Sequence, residues 1–153
     1  MHPKKHSGFV RYLASMLCTV AVLFAVFVLW NGMPVFGVPD ETEIASVTVT
    51  HSRCCPAGKT FTDAEKIHLA HNLASFLNRD LFAKPKAEET PVVSITYILR
   101  DGSTRTAAAS SATGWWNGKS RALKDPDMFV NLAEGIFFLP EIMQEESNAS
   151  QSG

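Results

Sequence analysis

The chain has 153 residues, of which 14 are basic and 15 acidic, and its formal net charge is −1. The charge is unevenly distributed, because Lys4, Lys5 and Arg11 stand in an N-terminal segment that contains no acidic residue. The remainder is mildly acidic, which excludes a nucleic-acid-binding surface built from clustered lysine and arginine. The length leaves room for one small domain besides any membrane segment.

The most informative segment is Tyr12–Trp30, which contains no charged residue. As a helix it would be about 28 Å long, close to the ~30 Å hydrocarbon core of a bilayer. The preceding basic residues predict a cytoplasmic segment 1–11, a single transmembrane helix 12–30 and a body outside the cytoplasm. A cleaved signal peptide is the alternative, although the apolar run is longer than a signal needs and residues 31–39 offer no convincing cleavage site.

Residues 31–43 combine prolines and glycines with three acids, which predicts a linker that lifts the following domain slightly off the lipid. The domain itself is predicted at 44–140. Residues 141–153 are poor in apolar side chains, which predicts a disordered tail.

Three strands are predicted within this domain. Alternating apolar and polar residues, rich in β-branched side chains, indicate strands at Ile44–His51 and Val92–Leu99. Asp101-Gly102 predicts a hairpin turn into a weaker return strand, Thr104–Ala109. The segment Cys54–Gly58 is predicted to break the first strand.

Two helices are predicted. Thr62-Asp63-Ala64-Glu65 has the pattern of a capping box, and the apolar stripe behind it predicts a helix that ends at Leu81 or Phe82. Asp125-Pro126 predicts the N-cap and first residue of a last helix that ends near Pro140. The element order βαββα predicts an α+β domain with a three-stranded antiparallel sheet and both helices on one face.

The order of these elements resembles that of small uncharacterised extracytoplasmic domains of Gram-positive bacteria, some of which are attached to ABC-transporter permeases. The resemblance covers Ile44 to Thr106. It is carried by Ile44-x-x-Val47-x-Val49, by Phe61-Thr62-Asp63-x-Glu65-x-Ile67 with His71, and by Ile95-x-Tyr97-x-Leu99-x-Asp101-Gly102. It implies an extracytoplasmic accessory or sensing module beside a transporter, with no catalytic residue to carry over.

The adjacent pair Cys54-Cys55 is the most unusual local feature. Outside the cytoplasm such thiols can oxidise, so a vicinal or intermolecular disulfide is one hypothesis, and two turn residues without a chemical role is the other. A zinc site that adds His51, His68 and His71 is a third possibility, disfavoured because adjacent cysteines chelate one ion poorly. We therefore predict no metal and no cofactor.

The best candidate for ligand binding is Trp115-Trp116, which lies in a predicted loop between Gly114 and Gly118. Lys119 and Arg121 follow closely, and exposed indoles beside cations suit a sugar, a cell-wall polymer, a peptide or the membrane surface. The alternative is that the indoles only complete the core.

The sequence contains no nucleophile–base pair, phosphate loop or pair of acidic residues with catalytic spacing. We therefore expect a non-enzymatic, single-pass membrane protein whose outer domain binds a membrane-protein partner, with the tryptophan site as the alternative. A redox or metal-binding protein using Cys54 and Cys55 is a weaker possibility.

Overall fold

A long apolar helix precedes an α+β domain in the computed structural model, which describes residues 6–143. The helix is α1 (His6–Asn31), and the two helices of the domain are α2 (Ala64–Leu73) and α3 (Met128–Ala133). The strands are β1 (Ile44–His51), β2 (Cys55–Phe61), β3 (Val93–Leu99), β4 (Thr104–Ala109), β5 (Thr113–Trp116) and β6 (Lys119–Ala122). Residues 1–5 of the predicted basic segment and 144–153 of the predicted tail lie outside the described residues, whereas 141–143 are helical.

Helix α1 confirms the coarse prediction of an N-terminal apolar helix. The stretch Phe9–Asn31 reaches a mean hydropathy of 2.5, and only 6% of its most apolar window is buried by the rest of the chain. Among the described residues it is the one helix that is long and apolar enough to cross a bilayer. By length and composition it fits either a membrane anchor or a signal sequence.

The sheet is antiparallel, as predicted, but it has six strands in the order β2-β1-β3-β4-β5-β6. The prediction of three strands is therefore wrong. The three predicted strands are present within one residue of their expected bounds, and Gly102 takes a φ of +83° in the turn between β3 and β4.

Strand β2 was missed because its sequence contains the strand breakers Pro56 and Gly58. It lies at the edge of the sheet, where a proline can face away from the ladder without removing a needed hydrogen bond. Gly58 has a φ of +80°, and a Cβ there would stand 2.8 Å from the Thr50 side chain. Both residues thus mark an irregular edge strand rather than the end of a strand.

Strands β5 and β6 form a hairpin where the sequence predicted a loop. The turn residues Asn117 and Gly118 have φ angles of 48° and 76°, the two positive values that a tight hairpin turn of this hand requires. Position 114 in β5 needs a glycine, because a Cβ there would stand 2.6 Å from Leu123 Cδ2. The β5–β6 hairpin therefore packs closely on the core.

The core lies between one face of the sheet and helices α2 and α3. Tyr97 of β3 is fully buried, and its hydroxyl donates a hydrogen bond of 2.6 Å to the carbonyl of Ala70 in α2. Phe137, just after α3, packs against Phe61 of β2 with 5.3 Å between ring centroids. The predicted placement of the helices on one face agrees with these contacts.

Helix α2 begins one residue later than the capping box predicts and ends much earlier. The cap is Asp63, whose Oδ1 accepts from the Lys66 amide at 2.9 Å, while Thr62 stays outside the helix. After Leu73 a 3₁₀ turn closes the helix, and Leu81 is left 43% exposed instead of continuing the apolar stripe. The chain has left the helix by Arg79, whose backbone pairs with Met33 and not with the preceding turn of α2.

A short backbone ladder fixes the end of α1 to the domain. Met33 and Arg79 exchange hydrogen bonds of 2.9 and 2.8 Å, and Arg79 also bridges to Leu123. Gly32 is buried with a φ of +79°, and a Cβ there would stand 2.8 Å from the Arg79 carbonyl. The segment that follows α1 is thus docked on the domain at its start, where the sequence predicted a spacer.

The last helix also differs from its prediction. It begins at Met128, after Asp127 with a φ of +65° and no capping hydrogen bond, so Asp125 and Pro126 are not its cap and first residue. It becomes a π-helix at Glu134–Phe138 and continues past Pro140. Pro140 has no N–H for the carbonyl of Ile136, and the Lys66 ammonium donates to that oxygen at 3.3 Å instead.

The cap of α2 gives a direct test of these positions. We expect Asp63→Ala to lower the free energy of unfolding by about 1 kcal/mol, because the Lys66 amide loses its acceptor. Thr62→Ala is the matched control and should change it by less than about 0.5 kcal/mol. Denaturant unfolding of the full chain in detergent measures both, and a larger loss for Thr62→Ala would restore the capping box.

Candidate functional site

The two tryptophans lie on opposite faces of the sheet, because they are neighbours in a strand. Trp116 faces the core, is 6% exposed and packs on Tyr97 with 6.3 Å between ring centroids. Trp115 is half-buried on the other face, where it lies opposite Ala108 of β4 and Ser120 of β6. The indoles therefore cannot grip one ligand between them, and the predicted aromatic site reduces to Trp115.

The two predicted cations are on the side of the sheet that Trp115 does not share. Lys119 lies opposite Trp116, and Arg121 lies opposite Gly114. Lys119 is exposed, whereas Arg121 is half-buried. The structure thus brings Trp116, Lys119 and Arg121 to one face of the hairpin and leaves Trp115 by itself on the other.

The face of the sheet that carries Trp115 is rich in hydroxyl groups and lies opposite the face on which Trp116 joins the core. One row crosses four strands through Thr60, Thr48, Thr96 and Thr106, and the Thr48 and Thr60 hydroxyls are 2.9 Å apart. Neighbouring positions in such a row are about 4.8 Å apart. A second row contains Thr50, Ser94, Ala108, Trp115 and Ser120. We call this surface the hydroxyl face.

His51 occupies a buried corner beside the cysteine pair. The ring is 2% exposed, its Nδ1 accepts from the backbone amides of Arg53 and Cys54 at 3.2 Å each, and Phe138 lies 5.4 Å away. Since Nδ1 accepts, the ring proton is on Nε2, which donates to Glu134 Oε1 at 3.0 Å. Both nitrogens are thereby occupied in holding the β1–β2 turn to the end of α3.

The cysteines are thiols in a half-buried position on this turn. Burial, followed by the hydrogen bond and charge of Cys55, raises the pKa of Cys54 to about 11. A thiol with this pKa is almost entirely protonated at neutral pH, and the protonated form is a poor nucleophile and metal ligand. The redox hypothesis for Cys54 and Cys55 stays a prediction, with slow thiol chemistry expected.

Two of the histidines considered for zinc have other hydrogen-bond partners in the structure. His68 Nδ1 lies 2.8 Å from Glu41 Oε2, and its Nε2 lies 2.9 Å from the Asn72 side-chain amide nitrogen, whereas His51 pairs with Glu134. Within the part of the chain that the structure describes, no group of three His, Cys, Asp or Glu residues is placed to hold a metal ion.

Glu89 forms a polar cluster that sequence reasoning missed. Its carboxylate accepts from the hydroxyl of the buried Ser110, and Thr113 lies in the same cluster, fully buried. Hydrogen bonds from Ser110 and then Thr113 lower the pKa of Glu89 to about 2. The cluster pins the loop before β3 onto the β4–β5 turn, and the signal in the sequence was only a Ser-Ser pair between two strands.

Comparison of the chain with protein-family models, with curated proteins and with solved structures finds no match. The resemblance to Gram-positive extracytoplasmic domains therefore stays a prediction.

Glu89 makes stability depend on pH in a predictable direction. Its folded pKa, about 2, lies below the ordinary 4.5, so its carboxylate stabilises the fold above pH 4.5 and this contribution is lost as the pH falls towards 2. We expect Glu89→Gln to lower the free energy of unfolding by about 1 kcal/mol at pH 7 and by far less near pH 2. The exposed Glu88→Gln is the control, and an equal loss for Glu89→Gln at both pH values would contradict the assignment.

Proposed function

We propose that this chain is a single-pass membrane protein and that its α+β domain is a non-enzymatic interaction module outside the cytoplasm. The observation that carries the proposal is the uncovered surface of α1, of whose most apolar window only 6% is buried by the rest of the chain. An apolar helix that its own chain leaves almost entirely uncovered is stable in lipid and unstable in water.

The orientation follows from charge. The N-terminal segment carries Lys4, Lys5 and Arg11 and no acid, while Asp40, Glu41 and Glu43 follow the helix. Basic residues are retained on the cytoplasmic side of a membrane span, so the domain lies on the opposite side. A transporter in the same membrane is the partner that the sequence resemblance implies.

The interior of the domain supports an interaction role over catalysis. His51 uses both ring nitrogens in structural hydrogen bonds, and the thiol of Cys54 has its pKa raised to about 11. Glu89 has its pKa lowered to about 2 by hydroxyl donors. His51 and Glu89 thus hold turns and loops, and the Cys54 thiol stays protonated, which leaves the broad surfaces as the parts of the domain that meet other molecules.

Membrane retention and orientation are tested together by cysteine labelling. Cys18, Cys54 and Cys55 are replaced by serine, and single reporters are introduced as Glu88→Cys in an exposed loop and Ser7→Cys before the apolar run. We expect sodium carbonate to leave the protein in the membrane fraction. A membrane-impermeant maleimide should label residue 88 in intact cells and residue 7 only after lysis.

The opposite labelling pattern would contradict the orientation. Release by carbonate, or a mature chain that has lost the α1 segment, would contradict the anchor and favour a cleaved signal sequence.

A second candidate function is the binding of an envelope glycan at the hydroxyl face. The observation that favours it is the position of Trp115, a half-buried indole in one row with Ser94 and Ser120 and beside the small Ala108. Sugar rings stack on aromatic faces while neighbouring hydroxyls exchange hydrogen bonds with theirs.

Trp115→Ala tests this candidate because the side chain lies outside the core that Trp116 completes. If the hydroxyl face binds glycan, the variant should retain its fold and lose about tenfold in affinity for purified cell-wall polysaccharide, as expected for about 1–2 kcal/mol of stacking. Phe82→Ala, at a more exposed aromatic residue, is the control. Equal binding by wild type and Trp115→Ala would remove the glycan candidate.

A further inference from the structure

A cleft between the segment after α1 and strand β6 has a composition unlike any other surface described above. It encloses about 340 Å³. Its walls are apolar on the side of the chain that leaves α1 and basic on the side of the sheet. We call it the basic cleft, and its lining consists of Met33, Pro34, Phe36, Arg79, Lys119, Ser120 and Arg121.

The basic cleft contains three cations and no acid. Within residues 6–143, Arg79, Lys119 and Arg121 take part in no salt bridge. The Nε of Arg121 is buried and has no hydrogen-bond partner there. Burial, followed by the charge of Arg79, lowers the pKa of Arg121, as expected where two guanidinium groups line one cleft. An anion between them would relieve the repulsion and accept the unused donors.

A cavity of about 370 Å³ elsewhere on the domain has a different balance of charge. It lies at the β3–β4 hairpin, where Glu43 and Asp101 accompany Arg100 and Arg105. Both signs of charge are present in its lining, so that cavity is already neutral. The excess of positive charge distinguishes the basic cleft from this cavity.

The position of the basic cleft along α1 sets what can reach it. The apolar run ends at Trp30, and a Cβ at Gly32 would stand 2.8 Å from the Arg79 carbonyl and 2.9 Å from Lys124 Cβ. Two helical residues advance about 3 Å, whereas the headgroup layer extends roughly 5–7 Å beyond the hydrocarbon on each side. If α1 spans the bilayer, Arg79 lies at the depth of the lipid phosphates.

Two exposed aromatic residues also agree with a position of the basic cleft at the depth of the lipid phosphates. Phe36 in its wall is 69% exposed, and Phe82, three residues after Arg79, is 79% exposed. Large aromatic side chains exposed beside cations are typical of a surface that sits in the membrane interface.

We propose that the basic cleft binds the headgroup phosphate of an anionic phospholipid, with Arg79 and Arg121 at the phosphate and Phe36 against the lipid's glycerol and upper acyl chain. Planar guanidinium groups can each offer two parallel N–H donors to phosphate oxygens. The proposal rests on the proposed function, since it needs α1 in the bilayer. Lipid binding of this kind would hold the domain against the membrane in one orientation.

The test uses the full chain in nanodiscs that contain equal amounts of phosphatidylglycerol and phosphatidylcholine, with the lipids retained by the protein counted by native mass spectrometry. We expect phosphatidylglycerol to be enriched by about fivefold for each cation at the phosphate. The double variant Arg79→Gln/Arg121→Gln should abolish the enrichment. Arg105→Gln, at an exposed cation of the β3–β4 hairpin, should leave it unchanged.

Three outcomes would overturn the proposal. Equal retention of both lipids by the wild type would do so, and so would an equal loss of enrichment for Arg105→Gln, which would indicate only a general charge effect. The third is displacement of phosphatidylglycerol by millimolar inorganic phosphate at constant ionic strength, which would indicate a free-phosphate site. Lys119→Gln is a second variant at the basic cleft. Thermal unfolding of each variant checks whether the fold is intact.

Failure of this proposal and failure of the membrane anchor are distinguishable. A chain that resists carbonate extraction but shows no lipid preference retains the proposed function and loses only the lipid site. A chain released by carbonate loses both.

Discussion

The backbone ladder through Met33, Arg79 and Leu123 is the constraint on which the arrangement of the molecule depends. It follows the early end of α2, because a residue paired with Met33, as Arg79 is, cannot continue the helix. It also holds the end of β6, since Asp80 donates to the carbonyl of Ala122. Through the buried Gly32 it brings the end of α1 within contact of the domain. A change in any of these three segments would therefore alter how the domain is held at the end of α1.

Local sequence patterns predicted the parts of the fold that local physics decides. Strands β1 and β3 alternate cleanly because one face packs on the helices and the other does not, and the Asp101-Gly102 turn needs only its own glycine. Strand β2 carries breakers that an edge strand tolerates, and β5 and β6 have four residues each, too few to show a period. The Asn117-Gly118 pair did signal the missed hairpin, but the tryptophans before it suggested a binding loop.

The candidate sites also separate what the local sequence predicts from what only the folded chain shows. The tryptophan pair was visible in the sequence, yet its two members point to opposite faces as soon as the segment becomes a strand. The basic cleft was invisible, because Met33, Arg79 and Arg121 belong to segments that meet only through the ladder and the β5–β6 hairpin. Equally, nothing near Glu89 in sequence indicates that hydroxyls from the β4–β5 turn would reach it. The tryptophan pair, the basic cleft and the Glu89 cluster were each decided by tertiary contacts and not by the local sequence.

The charge of the basic cleft also bears on how an anionic ligand would change the stability of the folded domain. Two guanidinium groups that repel, one of them half-buried, cost free energy in the folded domain. A ligand that binds the folded state alone lowers its free energy by an amount that grows with ligand concentration, and headgroup phosphates are highly concentrated at a bilayer surface. The same cations are solvated singly in the unfolded chain, where no cleft exists. If α1 spans a bilayer and the basic cleft binds a lipid phosphate, as proposed, anions at that surface would stabilise the domain in its docked position and offset the cost of placing the cations together.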